Sequence, residues 1–467
     1  TVLGKSARRP DMPALVAGQF EFVHNVRLPG MLHGRVVRPP SVGATVISVD
    51  ESSLTDVPGI VKVVAKKNWV GVVARKPWQA IQAANQLKVN WSPGPALPAF
   101  AGYYDYMRSQ KPTRDTLFVD SKDVEQKLSA SGATVVKATY LHPFQMHGSI
   151  GSSCAVADVR GDKAVIYSPT QGAWNQRSSS AMVLGLQPQN VQVIFKRGSG
   201  CYGCNGADTV TFDAALLSQA VQAPVRVQFT RKDEMAWGEN YGLPFVMDER
   251  AALDAQGNIV AWDHEAWSAV LGNRPGNNQP GNVVSGFLMG YEPAAFAARS
   301  PAPDPQQYDN GNNSVPSYFA GVVGGQSRGT GNIKSERSLL HNVPSPFFTA
   351  PLRSPARLQN TFAHESFMDE LAMHAKADPV AFRLRHLVDP RLRDVVTAAA
   401  TAFKWDARTS PRTGIRKTGI AAGRGMSTML YEGDNGYAAM FCEVEVNQAT
   451  GAITVKRMVI SNDSGPI

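Results

Sequence analysis

The sequence is poor in cysteine. Four cysteines occur among 467 residues, and only Cys201 and Cys204 form a C-x-x-C pair. A zinc site would need a second pair or nearby histidines, and a thioredoxin-like pair would lie at a helix start in a small βαβ domain. Neither context surrounds this pair in the sequence, so we interpret Cys201 and Cys204 as small residues packed in a crowded loop.

Long apolar segments are also absent. No run of about 18 apolar residues occurs, so the sequence predicts no membrane-spanning helix. The segment Thr1–Lys5 lacks an initiator methionine and the apolar core of a signal peptide, and Ser461–Ile467 follows a strand-like run abruptly. We therefore expect the chain to be part of a longer protein.

Basic residues exceed acidic residues without forming a nucleic-acid-binding pattern. The chain has 47 Lys and Arg against 38 Asp and Glu, which gives a net charge of +9. No cluster of Lys or Arg is interleaved with aromatic residues, which argues against a nucleic-acid partner. An anionic cofactor or an acidic partner protein accounts for the excess charge as well as solubility does.

The apolar pattern divides the chain into three regions. Residues 15–110 combine strand-like runs with one helix, which indicates an α+β unit, and a polar helical segment is expected at about 101–130. Residues 135–390 alternate strands and helices, as α/β domains do. Residues 415–467 return to strands and predict a hairpin.

A glycine-dense loop lies between a β-branched run and a helical pattern. Its glycines form a G-x-G-x-x-G spacing: Gly198, Gly200 and Gly203. Glycine allows backbone N–H groups to approach a phosphate, and a helix N-terminus adds positive potential. A dinucleotide fold also needs an acidic residue about 20 residues further on. The nearest candidates, Asp233 and Glu234, lie 30 or more residues after Gly203 in a segment typical of a solvated turn.

Other polar pairs have simpler interpretations than catalysis. His142 and His147 have no third metal ligand at a sensible spacing, so we do not predict a metal site. Glu365 and Asp369 lie four residues apart on a predicted amphipathic helix and are interpreted as capping or ion-pair residues. Trp174 is expected in the core.

Several motifs together carry a family resemblance. In chain order they are His33-Gly34-Arg35, His142–His147, Thr170-Gln171, Gly198–Gly206, Thr230–Glu234, Arg353-Ser354-Pro355, Glu365–Ala372 and Asp378-Pro379 with Phe382-Arg383-Leu384. Their order resembles the molybdopterin-binding large subunit of the xanthine dehydrogenase/aldehyde oxidase family. The residues within these motifs are most similar to those of the isoquinoline 1-oxidoreductase and nicotinate dehydrogenase large subunits of bacteria.

The resemblance implies a multidomain α+β and α/β fold. Residues 15–110 would form an α/β-hammerhead domain, and residues 135–390 the first molybdopterin-binding domain. Residues 415–467 would begin a second such domain and leave it incomplete.

The resemblance also implies roles for individual residues. Gln171 would approach the apical oxo ligand of molybdenum. Gly200-Cys201-Tyr202-Gly203 would form the turn beneath the cofactor, although Cys204-Asn205 replaces a basic residue of the family. Arg353-Ser354 would lead a turn that presents backbone N–H groups near the metal. Pro355 stands where many members place a substrate-lining aromatic residue.

The family's catalytic base is a glutamate in a G-x-G-E turn, and no such tetrapeptide occurs here. The base is therefore expected beyond Ile467, and we expect this chain alone to be inactive. No metal ligand from the protein is predicted.

The implied activity is that of a molybdenum hydroxylase. The substrate would be an N-heteroaromatic compound, such as nicotinate or isoquinoline, or an aldehyde, with water as the oxygen source. Molybdopterin cytosine dinucleotide would be the cofactor. Each [2Fe–2S] cluster needs about four cysteines, so the clusters are expected on a small partner subunit. A cytochrome c is a candidate electron acceptor, on either side of the bacterial inner membrane.

Two alternatives stay open at this point. One is an NAD(P)-dependent dehydrogenase that uses the glycine loop. The other is a non-catalytic fragment or paralogue that keeps the fold.

Overall fold

The computed structural model describes most of the chain. The described residues are 3–198, 200–203, 206–236, 240–269, 279–294, 315–323, 325–412, 419–431 and 435–466. They form a mixed α/β arrangement, as the sequence predicts.

Nineteen strands occur in this part of the chain. In chain order they are β1 (Leu32–Val37), β2 (Val46–Asp50), β3 (Ile60–Lys66), β4 (Trp69–Ala74), β5 (Lys88–Trp91), β6 (Arg114–Asp120), β7 (Thr134–His142), β8 (Cys154–Arg160), β9 (Lys163–Ser168), β10 (Val191–Phe195), β11 (Val225–Gln228), β12 (Phe245–Leu253), β13 (Ile259–Ala269), β14 (Val322–Val323), β15 (Gln326–Ser327), β16 (Glu336–Val343), β17 (Ile420–Tyr431), β18 (Gly436–Asn447) and β19 (Ile453–Asp463).

The α-helices of the same residues are mostly short. They are α1 (Met12–Val16), α2 (Pro77–Gln86), α3 (Tyr103–Ser109), α4 (Val124–Leu128), α5 (Ala173–Leu184), α6 (Gly206–Val221), α7 (Arg231–Met235), α8 (Val284–Leu288), α9 (Arg357–His374), α10 (Pro379–His386) and α11 (Pro390–Phe403). Among the described residues, none of these helices has both the length and the apolar character needed to cross a membrane.

The largest sheet has seven strands in the order β10-β9-β8-β11-β1-β4-β3. Strand β1 pairs in parallel with β11, with Leu32 opposite Val225. The sheet therefore contains strands from both 15–110 and 135–390. Helix α6 packs against it so closely that a Cβ on Gly34 would lie 2.4 Å from Leu217 Cδ1.

A second sheet of five strands runs β6-β16-β13-β12-β7, and α9 packs on it. Their shared core includes Trp262, Phe367, Met368 and Leu371, all at least 99% buried. A third sheet, β17-β18-β19, is a meander covered by α11, and it contains the hairpin predicted from the sequence.

Three local expectations from the sequence are wrong. The segment at 101–130 is not all helical, because β6 lies within it and pairs with β16. The segment Thr230–Glu234 is not a solvated turn, because Thr230 is the N-cap of α7. Glu234 is buried there and accepts hydrogen bonds from Ser153. Trp174 is 76% exposed and stacks with Arg177 instead of entering the core.

A buried ion pair connects the helices behind the second sheet. Arg383 of α10 is fully buried, and its Nε donates to Glu365 Oε2 at 2.8 Å, while its Nη1 donates to Asp369 Oδ1 at 2.7 Å. This confirms the ion-pair interpretation of Glu365 and Asp369. Tyr318 donates to the other oxygen of Glu365, and the N–H of Thr428 in β17 donates to Oε2. Burial raises the pKa of Glu365, and Arg383 opposes that rise.

Replacing Arg383 with methionine is expected to lower the free energy of unfolding by about 3–5 kcal/mol, because it leaves the Glu365 carboxylate buried without its cation. The control is Arg385→Met on the exposed side of α10, which should change stability by about 0.5 kcal/mol or less. Urea denaturation followed by circular dichroism measures both. Equal losses in the two variants would contradict the structural role of this pair.

Candidate functional site

Hydrogen bonds of the Thr170 side chain fix the turn between β9 and α5. Thr170 is buried, and its hydroxyl donates to Asp208 Oδ1 in the first turn of α6 at 2.6 Å. The same hydroxyl accepts the N–H of Gly172 at 3.1 Å. These bonds fix the backbone on both sides of Gln171, whose side chain is exposed.

The glycine loop has an unusual backbone. Gly200, Tyr202 and Gly203 all have positive φ, at 151°, 59° and 122°. A tyrosine in the left-handed region costs about 1–3 kcal/mol, and such residues concentrate at functional sites. Cys201 Sγ donates to the Gly203 carbonyl at 2.8 Å, which gives this thiol a local structural role. Cys204 and Asn205 lie outside the described residues.

This loop crosses the segment before α9 at van der Waals distance. Gly203 forms an antiparallel bridge with Leu352, and the Arg353 N–H donates to the Tyr202 carbonyl at 2.6 Å. A Cβ on Gly203 would lie 2.0 Å from the Pro351 carbonyl oxygen. Gly203 is therefore required for contact between two chain segments, whereas the sequence suggested only an approach to phosphate.

The turn that begins α9 is also strained. Ser354 and Ala356 have φ of 57° and 60°, and Pro355 lies between them. The Arg353 N–H is committed to Tyr202, and Pro355 has no N–H. Of the three residues Arg353, Ser354 and Pro355, only Ser354 therefore keeps a backbone N–H available to a cofactor.

These segments enclose one cleft of about 660 Å³. Its lining residues come from several distant parts of the chain: Gln171, Tyr202, Gly203, Pro351, Leu352, Arg353, Ser354, Pro355, Met429 and Tyr431. Six of the residues singled out from the sequence meet here. Gly200 and Cys201 are not among the lining residues, although they belong to the same loop.

Met429 and Tyr431 of β17 were missed by the sequence reasoning. The motifs that carry the family resemblance do not include them, and the apolar pattern of this region predicted only strands. Their position follows from tertiary structure, because β17 is bonded through Thr428 to Glu365 of α9.

The charge of the cleft favours an anionic ligand. Arg353 is its one cation among the described lining residues, and none of those residues is acidic. The Arg353 guanidinium lies 5.8 Å from the centre of the Tyr202 ring. The N-terminus of α6 is a poor site for a pyrophosphate, because the buried side chain of Asp208 lies in its first turn. This arrangement argues against the alternative of an NAD(P)-dependent dehydrogenase that uses the glycine loop.

Comparison with known proteins adds independent information. Residues 109–296 match the molybdopterin cofactor-binding domain, a region that overlaps the predicted 135–390. The chain is 35% identical over 480 residues to a nicotinate dehydrogenase subunit of Pseudomonas putida, covering 99% of this chain and 38% of that protein.

Residues 109–296 therefore belong to the molybdopterin cofactor-binding domain family, and the chain as a whole is similar to part of a nicotinate dehydrogenase subunit. A second relative, the isoquinoline 1-oxidoreductase beta subunit of Brevundimonas diminuta, is 24% identical over all of this chain and 56% of its own length. The chain thus spans only part of the length of these relatives. The crystal structure of quinoline 2-oxidoreductase from Pseudomonas putida 86 has the same fold, with a TM-score of 0.67 at 16% identity over 97% of this chain and 62% of that chain.

Gly203→Ala is expected to destabilise the protein more than a matched change at Gly148. Gly148 also has positive φ, but a Cβ there meets no atom within 4 Å. Both variants carry a left-handed backbone penalty of about 1–2 kcal/mol. Gly203→Ala adds overpacking of about 1–3 kcal/mol against Pro351. Chemical denaturation of the two variants should show this difference, and equal stability would mean that the loop crossing is misplaced.

Proposed function

We propose that the chain is the cofactor-binding large subunit of a bacterial molybdenum hydroxylase, which oxidises an N-heteroaromatic compound or an aldehyde with water as oxygen source. The observation that carries the proposal is the cleft itself. It gathers Gln171, Tyr202-Gly203 and Arg353-Ser354 from distant segments, and the family resemblance gives these residues to the cofactor.

The cleft residues suit a molybdopterin group. When bound, the molybdenum centre supplies the two-electron oxidation, which no side chain can perform. The Gln171 amide donates a hydrogen bond without adding charge, which suits an oxo-type acceptor. Arg353 supplies the positive charge that an anionic pterin phosphate requires, and no lining carboxylate among the described residues opposes it. The rigid turns hold these groups in place before the cofactor arrives.

Part of the cleft lining suits an aromatic substrate. Pro355, Met429 and Tyr431 add apolar and aromatic surface to the polar groups of the cleft. Pro355 replaces the aromatic residue usual in the family, and we propose that Tyr431 supplies the aromatic surface instead. The name of the Pseudomonas putida relative supports nicotinate-like acids as the substrate class.

The remaining components follow the family pattern. We propose that the cofactor is molybdopterin cytosine dinucleotide and that the [2Fe–2S] clusters lie on a small partner subunit, with a cytochrome c as electron acceptor. We assign residues 15–110 to a hammerhead domain, 135–390 to the first cofactor domain and 415–467 to the start of the second.

Gln171→Ala should slow substrate oxidation by about 10–100-fold in the complete enzyme, the usual effect of losing a hydrogen bond in the outer shell of a metal site. Stability should change little, because the side chain is exposed. Gln189→Ala, an exposed glutamine near the next turn, is the matched control. Steady-state kinetics with molybdenum content measured per chain tests the prediction. Normal turnover in a fully loaded Gln171→Ala enzyme would contradict the site assignment.

Residues 1–467 alone should not oxidise substrate. The family's base glutamate has no counterpart in a G-x-G-E turn here, and loss of a general base typically costs about 10²–10⁴-fold. Activity should return when the longer polypeptide is assembled with its small iron–sulfur subunit. Turnover by residues 1–467 at rates near those of the assembled enzyme would show that the base or the family role is wrongly assigned.

A further inference from the structure

Three side chains of the types that bind metals converge in the core between the five-stranded sheet and α9. Glu249 of β12 and His264 of β13 are direct cross-strand partners, and His364 projects from α9. The first two are fully buried and His364 is 4% exposed. None of them was a candidate from the sequence, because they lie 15 and 100 residues apart and form no spacing motif.

The three nearest atoms form a compact triangle. His264 Nδ1 lies 2.8 Å from Glu249 Oε1 and 3.3 Å from His364 Nε2, and the third side is 3.8 Å. A triangle with these sides has a point about 2.0 Å from all three corners, which is the usual length of Zn–N and Zn–O bonds. The ligand atoms therefore need little movement to bind one ion.

The three ligand atoms face one another in the core. His264 Nδ1 lies within hydrogen-bonding distance of both Glu249 Oε1 and His364 Nε2. His264 Nε2 is buried and has no hydrogen-bond partner among the described residues, so no bond there fixes the tautomer. A cation satisfies all three lone pairs at once.

A hydrogen bond orients the Glu249 carboxylate, as is usual for carboxylates that bind metals. Trp262 Nε1 donates to Glu249 Oε2 at 2.7 Å, which orients the carboxylate and leaves Oε1 directed at the two histidines. Such outer partners are typical of metal-binding carboxylates. His341 gives the contrast, since its two ring nitrogens bind Asp115 and Glu265 on opposite sides. His341 is an ion-pair bridge, because its partners do not converge on one point.

We propose that Glu249, His264 and His364 bind one divalent transition-metal ion, of the class represented by Zn²⁺. The ion connects α9 to two adjacent strands of the sheet. Because α9 begins directly after the Arg353–Ala356 turn, the ion fixes the helix that positions one wall of the cleft. This site is separate from the cleft, and its test does not depend on the proposed oxidation.

The test uses the full chain after treatment with a chelator, titrated with ZnCl₂ by calorimetry and followed by elemental analysis after gel filtration. One zinc ion per chain is expected to remain, and added zinc should raise the melting temperature. Glu249→Gln should weaken zinc binding by more than about 100-fold, beyond the effect of losing an outer partner. Glu265→Gln is the control, because Glu265 is adjacent to His264 but pairs with His341. Its zinc affinity should match that of the unmodified chain.

Zinc-edge X-ray absorption of the unmodified chain gives a result that does not rely on variants. Nitrogen and oxygen ligands at about 2.0 Å, with imidazole scattering, would support the site. Sulfur ligands at about 2.3 Å would overturn it in favour of the cysteines. Equal zinc binding by the unmodified and Glu249→Gln chains, or no zinc retained by the unmodified chain, would also overturn it.

Discussion

The cleft depends on the close crossing of two backbone segments at Gly203 and Pro351. No side chain fits between them, since a Cβ would lie 2.0 Å from a carbonyl oxygen. The crossing brings Tyr202 against Arg353 and sets both beside Gln171. It also accounts for the left-handed φ of Tyr202 and Ser354, because each chain must turn sharply to leave the contact. Strain of this kind persists only where the surrounding structure over-determines it.

Helix α9 connects the two walls of the cleft. Its first residue follows the Arg353–Ala356 turn, and Glu365, two turns later, accepts the backbone N–H of Thr428 beside Met429. The buried Arg383 donates a hydrogen bond to that carboxylate at 2.8 Å in the core. One helix therefore fixes both the polar wall at Arg353 and the apolar wall of β17. The proposed metal site at His364 would attach the same helix to the sheet beneath it.

The sequence allowed the elements and most candidate residues to be predicted, but not their assembly. Strand and helix periodicity located β10, α6 and the β18–β19 hairpin, and motif order located Gln171, Tyr202 and Arg353. Periodicity could not show that strands from residues 15–110 and 135–390 share one sheet, because pairing of β1 with β11 is a long-range contact. It failed at β6, whose polar flanks resemble a helix. Tyr431 and the Glu249–His264–His364 cluster have no sequence signal, since only folding brings them to their partners.

The central claim is that the cleft between Gln171 and Arg353 holds the molybdenum centre. The most direct measurement is anomalous X-ray scattering at the molybdenum edge from crystals of the assembled enzyme. The expected result is one molybdenum peak inside the cleft, beside the Gln171 amide and facing Pro355 and Tyr431. A peak at another position in this chain, with the cleft occupied only by solvent, would contradict the claim.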